Sequence, residues 1–226
     1  MLVVLEGLDG AGKSTQVRLL KEYLTQRLGE LEYVHFPRYD APVYGDLISR
    51  FLRGEFGDNS QVHPQLVALL FAEDRHGAVP EIRRALEEGK TVLLDRYVYS
   101  NIAYQCAKLP DRKERRALRD WIFRTEYGEF DLPEPDLNLF LDVPLVFVQQ
   151  SLSRSREGSD RDYLAGSRDI HEADIAFQQE VRDIYRQEAA RDPHFLRIDC
   201  SGPDGAMLPP DAIFQLVRTT VDPHLP

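Results

Sequence analysis

The stretch LVVLEGLDGAGKST, residues 2–15, passes from an apolar strand pattern through a glycine-rich turn into a helical pattern. Within it, residues 7–14 match the spacing G-x-x-x-x-G-K-[ST]. The glycines allow backbone N–H groups to turn inward around a phosphate, and the following helix N-terminus adds a favourable dipole. Lys13 would supply a cation for the β- and γ-phosphates, and the Ser14 hydroxyl could ligate Mg²⁺. The stretch therefore predicts binding of a nucleoside triphosphate.

Asp9 is the unusual residue of this loop, because a carboxylate among triphosphate oxygens should be repelled. Its presence suggests that a cation, or a hydroxyl or amine of a phosphate acceptor, lies close by. The alternative is that Asp9 only favours the backbone turn. The residues expected to contact the triphosphate are Gly7, Leu8, Asp9, Gly10, Ala11, Gly12, Lys13, Ser14 and Thr15.

Four further apolar runs, at 31–36, 91–95, 137–142 and 194–199, alternate with segments of helical spacing. Strands that alternate with helices indicate an α/β fold, here a doubly wound, five-stranded parallel sheet with helices on both faces. Ligands of such sheets bind at the carboxyl ends of the strands. We expect one domain over 1–226, with helices at 15–28, 43–53, 64–78, 81–88, 98–107, 113–127, 144–153, 169–191 and 210–221.

Composition limits the classes of partner. The 226 residues carry a formal net charge of −10, which argues against nucleic acid as a partner. The two cysteines are too few for a disulfide framework or a zinc site. The sequence shows neither a leader nor an apolar run long enough for a transmembrane helix, so we expect a cytoplasmic protein without a membrane partner.

Asp95 is the last residue of the most apolar predicted strand, and Arg96 follows it. The end of that strand would lie at the same sheet edge as the glycine-rich loop, where Asp95 could hold Mg²⁺ directly or through water. The planar guanidinium of Arg96 suits a second phosphate. The alternative is a solvated carboxylate at the end of a strand.

The segment RSREGSDRDY, residues 154–163, combines Gly, Ser and mixed charge and is typical of a mobile segment. Such a segment is most often solvated surface. Phosphoryl transfer, however, benefits from cations that arrive when the substrates bind and water is excluded. We therefore predict a lid at about 154–165 that carries Arg154, Arg156 and Arg161 as catalytic residues.

Two segments, FPRY at 36–39 and FAEDR at 71–75, each pair an aromatic ring with a guanidinium. That combination could stack on a nucleobase and read its edge, although Phe71 has the spacing of a core residue. Asn101 and Tyr104 lie three positions apart, and so on one helical face, just after Arg96.

These residues resemble the thymidylate kinases, P-loop kinases that phosphorylate dTMP to dTDP with Mg-ATP. The resemblance is carried by LEGLDGAGKST, FPRY, LLFAEDR, LLDRYVYSNIAYQ and SRSREGSDRDY, which lie between residues 5 and 163. It implies the fold predicted above, ATP as phosphoryl donor and dTMP as acceptor.

The resemblance also implies individual roles. Phe71 would stack on thymine, Arg75 would donate to its O4, and Asn101 would contact the base edge. Tyr104 would close the space beside the sugar C2′. Catalysis would rest on Lys13, Asp9, Arg96 and the lid arginines, with Ser14, Asp95 and Asp9 at the metal. The substrate-binding set it implies is Phe36, Pro37, Arg38, Tyr39, Phe71, Arg75, Arg96, Ser100, Asn101, Tyr104 and Tyr163.

Because Gly10 and Ala11 occupy the loop and the arginines lie in the lid, the chain is similar to the lid-arginine type of the family. Family members form two-fold dimers through packed helices, so we expect a homodimer. Leu66, Leu69 and Leu70 could form its interface or could pack on the sheet.

Two other functions use the same loop. A deoxynucleoside kinase would need a carboxylate base and no second phosphate site, whereas Arg38 and Arg96 favour a monophosphate. A nucleotide-dependent switch would hydrolyse ATP without an acceptor and would need no base pocket.

Overall fold

The computed structural model describes residues 1–153, 159–164, 169–172 and 174–225. Its centre is a five-stranded, all-parallel sheet with the strand order β2-β3-β1-β4-β5. The strands are β1 (Leu2–Gly7), β2 (Leu31–His35), β3 (Thr91–Asp95), β4 (Leu137–Asp142) and β5 (Phe195–Asp199). The predicted α/β fold with a parallel sheet is confirmed.

Burial explains which strands occupy the centre. Every residue of β1, β3 and β4 is buried, as expected for continuous apolar runs covered on both faces. In the edge strands, four of the five residues of β2 and three of the five residues of β5 are at least partly exposed. Because the strands are parallel, the carboxyl ends of the three central strands lie together at one edge of the sheet.

The helices pack around this sheet, α1 against α9 and α5 against both α6 and α8. They are α1 (Lys13–Leu28), α2 (Tyr44–Leu52), α3 (Pro64–His76), α4 (Val79–Glu87), α5 (Val98–Cys106), α6 (Arg112–Phe123), α7 (Leu145–Ser153), α8 (Ile175–Ala189) and α9 (Pro210–Val221).

Two helices differ from the sequence prediction in ways that matter for the site. The predicted helix 113–127 ends as an α-helix at Phe123 and continues as a π-helical turn, Arg124–Glu129. The predicted helix 169–191 begins only at Ile175, because the Asp174 side chain accepts from the N–H of Ala176 and caps the helix there. Residues 169–172 form a turn instead.

Candidate active site

The loop between β1 and α1 has the geometry of a phosphate cradle. Gly10 and Gly12 adopt left-handed backbone angles, φ 72° and 76°, which glycine accepts without a steric penalty. Helix α1 begins at Lys13 without a side-chain cap, so its first N–H groups remain available to an anion. Ser14 and Thr15 are exposed on the first turn. These are the groups that a triphosphate and its metal require.

Asp95, at the end of β3, lies beside this loop. The Lys13 ammonium is 3.9 Å from Asp95 Oδ1, and His35 Nδ1 is 3.2 Å from Oδ2. Burial acts to raise the pKa of Asp95, but the charge of Lys13 and the contact with His35 outweigh it and hold the pKa at about 2. Oδ1 is buried and has no hydrogen-bond partner among the described residues. An ionised oxygen in this state suits a cation.

Asp9 is held by a cation and a hydroxyl. Arg96 Nη2 donates to Asp9 Oδ1 at 2.6 Å, and the Tyr104 hydroxyl donates to Oδ2 at 2.8 Å. Burial acts to raise the pKa of Asp9, yet Arg96 and Lys13 bring it to about 2. Arg96 itself has a left-handed backbone, φ 69°, which is uncommon for a residue with a side chain. The fold thus holds Arg96 in contact with Asp9, and the left-handed backbone of Arg96 costs conformational energy.

The start of α5 is anchored by Glu6, which the sequence analysis did not single out. The buried Glu6 carboxylate accepts from the backbone N–H groups of Tyr97 and Ser100 at 2.8 and 3.1 Å. It also accepts from the Ser100 and Tyr185 hydroxyls at 2.5 and 2.9 Å. A residue of β1 therefore fixes the helix that carries three of the predicted substrate-binding residues, Ser100, Asn101 and Tyr104.

A cavity opens at this sheet edge. Of the predicted substrate-binding residues, ten line it, with Asp9 as an eleventh predicted site residue. The residues that sequence reasoning missed are Leu52, Gln105, Asp169 and His171. The predicted residues are Asp9, Phe36, Pro37, Tyr39, Phe71, Arg75, Arg96, Ser100, Asn101, Tyr104 and Tyr163.

One end of the cavity is defined by a buried polar cluster. Arg75, 2% exposed, donates from Nε and Nη2 to the two oxygens of Glu126 at 2.5 and 2.8 Å. The Asn101 Nδ2 group donates to Glu126 Oε1 at 2.8 Å and to the Ala68 carbonyl at 3.0 Å. Asn101 Oδ1 is buried without a hydrogen-bond partner in the described part of the chain. An arginine donor and a vacant amide acceptor thus stand side by side.

Arg38 is the predicted substrate-binding residue that does not line the cavity. Its backbone N–H and its Nε donate to the Asp74 carboxylate at 2.9 and 3.0 Å, and Nη2 donates to the Asp74 carbonyl. A side chain at Gly77 would press on this guanidinium, since an added Cβ would lie 2.9 Å from Arg38 Nη2. Asp74 and Gly77 therefore set the position of Arg38.

Tyr163 contacts the cavity through a ring stack. The rings of Tyr39 and Tyr163 lie 3.9 Å apart and almost parallel. Arg53 donates to the Tyr163 carbonyl at 2.7 Å, and the Tyr163 hydroxyl donates to Asp169 Oδ2 at 2.7 Å. The described part of the predicted lid, Ser159–Leu164, thereby borders the site. Arg154, Arg156 and the side chain of Arg161 lie outside the described residues.

Asp169 and His171 were missed because the sequence analysis placed them inside a helix. Both are buried in the turn before α8. Burial and the neighbouring Asp9 raise the pKa of Asp169 to about 7. The missed signal is Asp174, an N-cap residue directly before the apolar positions of α8, which would have left 169–172 as a loop beside the site.

The loop, the ionised Asp95 and a separate acceptor cavity at one sheet edge define a kinase of the P-loop class. The thymidylate kinase family model matches residues 5–207, and the chain belongs to this family.

Similarity to individual thymidylate kinases supports the same family. The chain is 37% identical to a thymidylate kinase of Mycobacterium tuberculosis over 192 residues, covering 84% of this chain and 86% of the relative. It is 40% identical to the human thymidylate kinase over 145 residues, 64% of this chain and 62% of the relative. A thymidylate kinase structure from Candida albicans matches with a TM-score of 0.72 at 26% identity, covering 99% of this chain and 93% of that one.

Two kinds of feature are absent from the described part of the chain. None of the described helices is both long and apolar enough to cross a bilayer. No group of three or more His, Cys, Asp or Glu side chains placed to hold a metal occurs among them.

Proposed function

We propose that the protein transfers the γ-phosphoryl group of ATP to dTMP and so supplies dTDP for dTTP synthesis. The observation that carries this proposal is that a donor residue, Arg75, and Asn101, whose Oδ1 has no hydrogen-bond partner among the described residues, line the same cavity. Thymine presents a carbonyl at C4 and an N–H at N3, which complement a guanidinium donor and an amide acceptor. Cytosine presents an amino group and a bare nitrogen, which oppose both.

The remaining cavity residues suit a deoxynucleoside monophosphate. Phe71 offers a face for the base, and Tyr104, fixed by Asp9, would occupy the space a 2′-hydroxyl needs. Arg96 would bind the monophosphate, with Arg38 as a second cation close to Phe36. Ser100, Tyr39 and Tyr163 would complete the wall.

The residues around Asp95 fit Mg²⁺. Asp95 is ionised, its Oδ1 lies 3.9 Å from the Lys13 ammonium but accepts no hydrogen bond from the described residues, and the exposed Ser14 hydroxyl lies on the adjoining turn. Both oxygens of Asp9 accept hydrogen bonds, so Asp95 is the better direct ligand. When bound, the metal would neutralise charge on the phosphate oxygens. Chelation of Mg²⁺ is expected to abolish turnover, and its readdition to restore it.

Direct in-line transfer is the mechanism these groups support. An anionic phosphate oxygen needs no strong base, and Asp9 and Asp95, with pKa values of about 2, would be poor bases. Lys13 and Arg96 would supply positive charge at the reacting phosphates, and the lid arginines would add to it. A nucleoside acceptor would need no cation for a second phosphate, so Arg96 in the wall of the cavity favours a monophosphate acceptor over a nucleoside.

A second cavity supports the donor side. It borders the phosphate loop and α1, and its walls come from the β5–α9 connection and α7. We assign it to the base of ATP. The residues lining it are Ala11, Gly12, Thr15, Gln16, Leu141, Phe147, Cys200, Met207, Leu208, Pro210 and Ile213.

The test is an assay of ADP release with Mg-ATP and dTMP, dUMP, dCMP, thymidine or no acceptor. We expect strong turnover with dTMP, less with dUMP, since the 5-methyl group contributes only about 1–3 kcal/mol, and little with dCMP. Turnover with thymidine would favour a nucleoside kinase. ADP release that ignores the acceptor would favour an ATPase switch.

We also propose a homodimer that uses α3. Leu66 on this helix is 63% exposed, whereas Leu70 packs against the smaller core cluster. Leu66→Glu is expected to yield monomers in sedimentation velocity, with Leu216→Glu, at the half-exposed Leu216 of α9, as the matched control. Unchanged sedimentation of the Leu66 variant would contradict this interface.

A further inference from the structure

Glu126 is a buried carboxylate that the proposed mechanism does not use. It is fully buried, and its two oxygens accept from three donor atoms: Nε and Nη2 of Arg75 and Nδ2 of Asn101. Both of those partners line the cavity, and Glu126 itself does not. Glu126 therefore reaches a ligand only through other side chains.

The local backbone brings Glu126 to this position. Leu118, Ile122 and Glu126 follow each other at intervals of four and are all buried, so Glu126 continues the inward face of α6. The helix widens into the π-helical turn Arg124–Glu129 at this point.

The carboxylate imposes a direction on both partners, because an ionised carboxylate only accepts hydrogen bonds. Asn101 must turn its NH₂ group toward Glu126, and the Ala68 carbonyl accepts from the same nitrogen. Its Oδ1 is thereby left as the vacant acceptor. Arg75 is bound through Nε and Nη2, so Nη1 lies outside that ion pair.

We propose that Glu126 is a positioning residue that sets which atoms of Arg75 and Asn101 face the base, and so determines selection of thymine over cytosine. This inference rests on the proposed function, since it concerns how that site reads the base. The free energy of the selection comes from Arg75 and Asn101, and Glu126 fixes their donor and acceptor pattern.

The test compares dTMP with 5-methyl-dCMP, which has the shape of dTMP and differs only at the edge formed by C4 and N3. In Glu126→Gln, a side-chain amide offers one acceptor oxygen to three donors, so Arg75 and Asn101 are no longer both held. We expect the ratio of kcat/KM for dTMP to that for 5-methyl-dCMP to fall about tenfold or more. The KM for dTMP should rise more than its kcat falls.

Glu188→Gln is the matched control. Glu188 is 3% exposed, accepts from Arg119 and Arg191, and does not line the cavity. Loss of the Glu188 carboxylate should lower the melting temperature without changing the ratio of kcat/KM for dTMP to that for 5-methyl-dCMP. An equal fall of the ratio in both variants would overturn the inference, because general loosening of the fold would then explain it.

Glu126→Asp covers the case in which the Gln variant does not fold. Aspartate keeps an acceptor-only group, so the ratio should stay within about threefold of the wild type while KM rises. A collapsed ratio in this variant, or a ratio unchanged in a folded Glu126→Gln, would overturn the inference. Wild-type protein that fails to use dTMP would instead refute the proposed function, whatever the variants do.

Discussion

The two halves of the site differ in how far their polar groups are already paired. In the acceptor cavity, Arg75, Arg96 and Asp9 each have protein partners at 2.5–2.8 Å. At the phosphate loop, Ser14 is exposed, α1 has no side-chain cap, and Asp95 Oδ1 accepts no hydrogen bond from the described residues.

The difference shows how each half can select its ligand. Hydrogen bonds hold these three side chains of the acceptor cavity in place before a ligand binds, which suits discrimination between bases. The loop leaves the Ser14 hydroxyl exposed and the first N–H groups of α1 without a side-chain cap, which suits a highly charged ligand that brings its own metal. Specificity should therefore be sensitive to changes in the cavity, and rate to changes at the loop.

Lys13→Ala tests this contrast with the largest expected effect. Removing the cation of the loop should lower kcat by about 10³-fold or more, because no other described side chain of the loop carries positive charge. ADP release measures the loss, and circular dichroism verifies that the fold is intact. Near-normal turnover would contradict the assignment of residues 7–14 as the loop that binds the triphosphate.

Arg96→Ala and Arg38→Ala remove the same side chain from two different positions in the structure. Arg96 lines the cavity and contacts Asp9, whereas Arg38 is held by Asp74 outside it. We expect kcat/KM for dTMP to fall about 10²–10³-fold for Arg96 and about tenfold for Arg38. Equal losses would show that Arg38 leaves Asp74 when the substrate binds.

Asn101→Ala should affect selectivity more than rate. Removing the vacant acceptor should lower the preference for dTMP over dCMP about tenfold, while kcat with dTMP changes less. Steady-state kinetics with both nucleotides provide the measurement. A preserved ratio of kcat/KM values would count against a contact between Asn101 and the base.

Asp169→Asn tests stability rather than turnover, and its effect depends on pH. The pKa of Asp169 is about 7 in the folded protein, against an ordinary value of 3.8. The folded state holds this proton longer than the unfolded chain, so stability is lost as pH rises from about 4 to 7. Relative to the variant, the wild type should therefore lose free energy of unfolding across this window, as urea titrations at pH 4.5, 6 and 7.5 would measure. Parallel curves would refute the raised pKa.

The phosphate loop and the acceptor cavity also differ in how well they could be predicted from the sequence. The loop is contiguous, so residues 7–14 could be recognised from spacing and from their place between an apolar run and a helical pattern. The parallel sheet followed from apolar runs such as 91–95, whose observed bounds are identical.

The cavity is assembled from separate segments, and there the sequence was less informative. Resemblance supplied Phe71 and Asn101, but Asp74, which holds Arg38, becomes visible only in three dimensions. Glu126 carried a signal that was not used, a carboxylate four residues after Ile122 on the buried face of a helix. Asp169 was not predicted as a site residue, because the predicted helix 169–191 begins before the N-cap of α8, Asp174.

The low pKa values of Asp9 and Asp95 have a consequence for activity at different acidities. With both values at about 2, neither carboxylate changes charge between pH 5 and 8. Groups that do change charge near neutrality include Asp169, Lys108, whose pKa burial lowers to about 7, and the substrate phosphate, which takes up its second proton near pH 6. In the Asp169→Asn variant, any part of an acid-side decline of kcat/KM that comes from Asp169 would be lost.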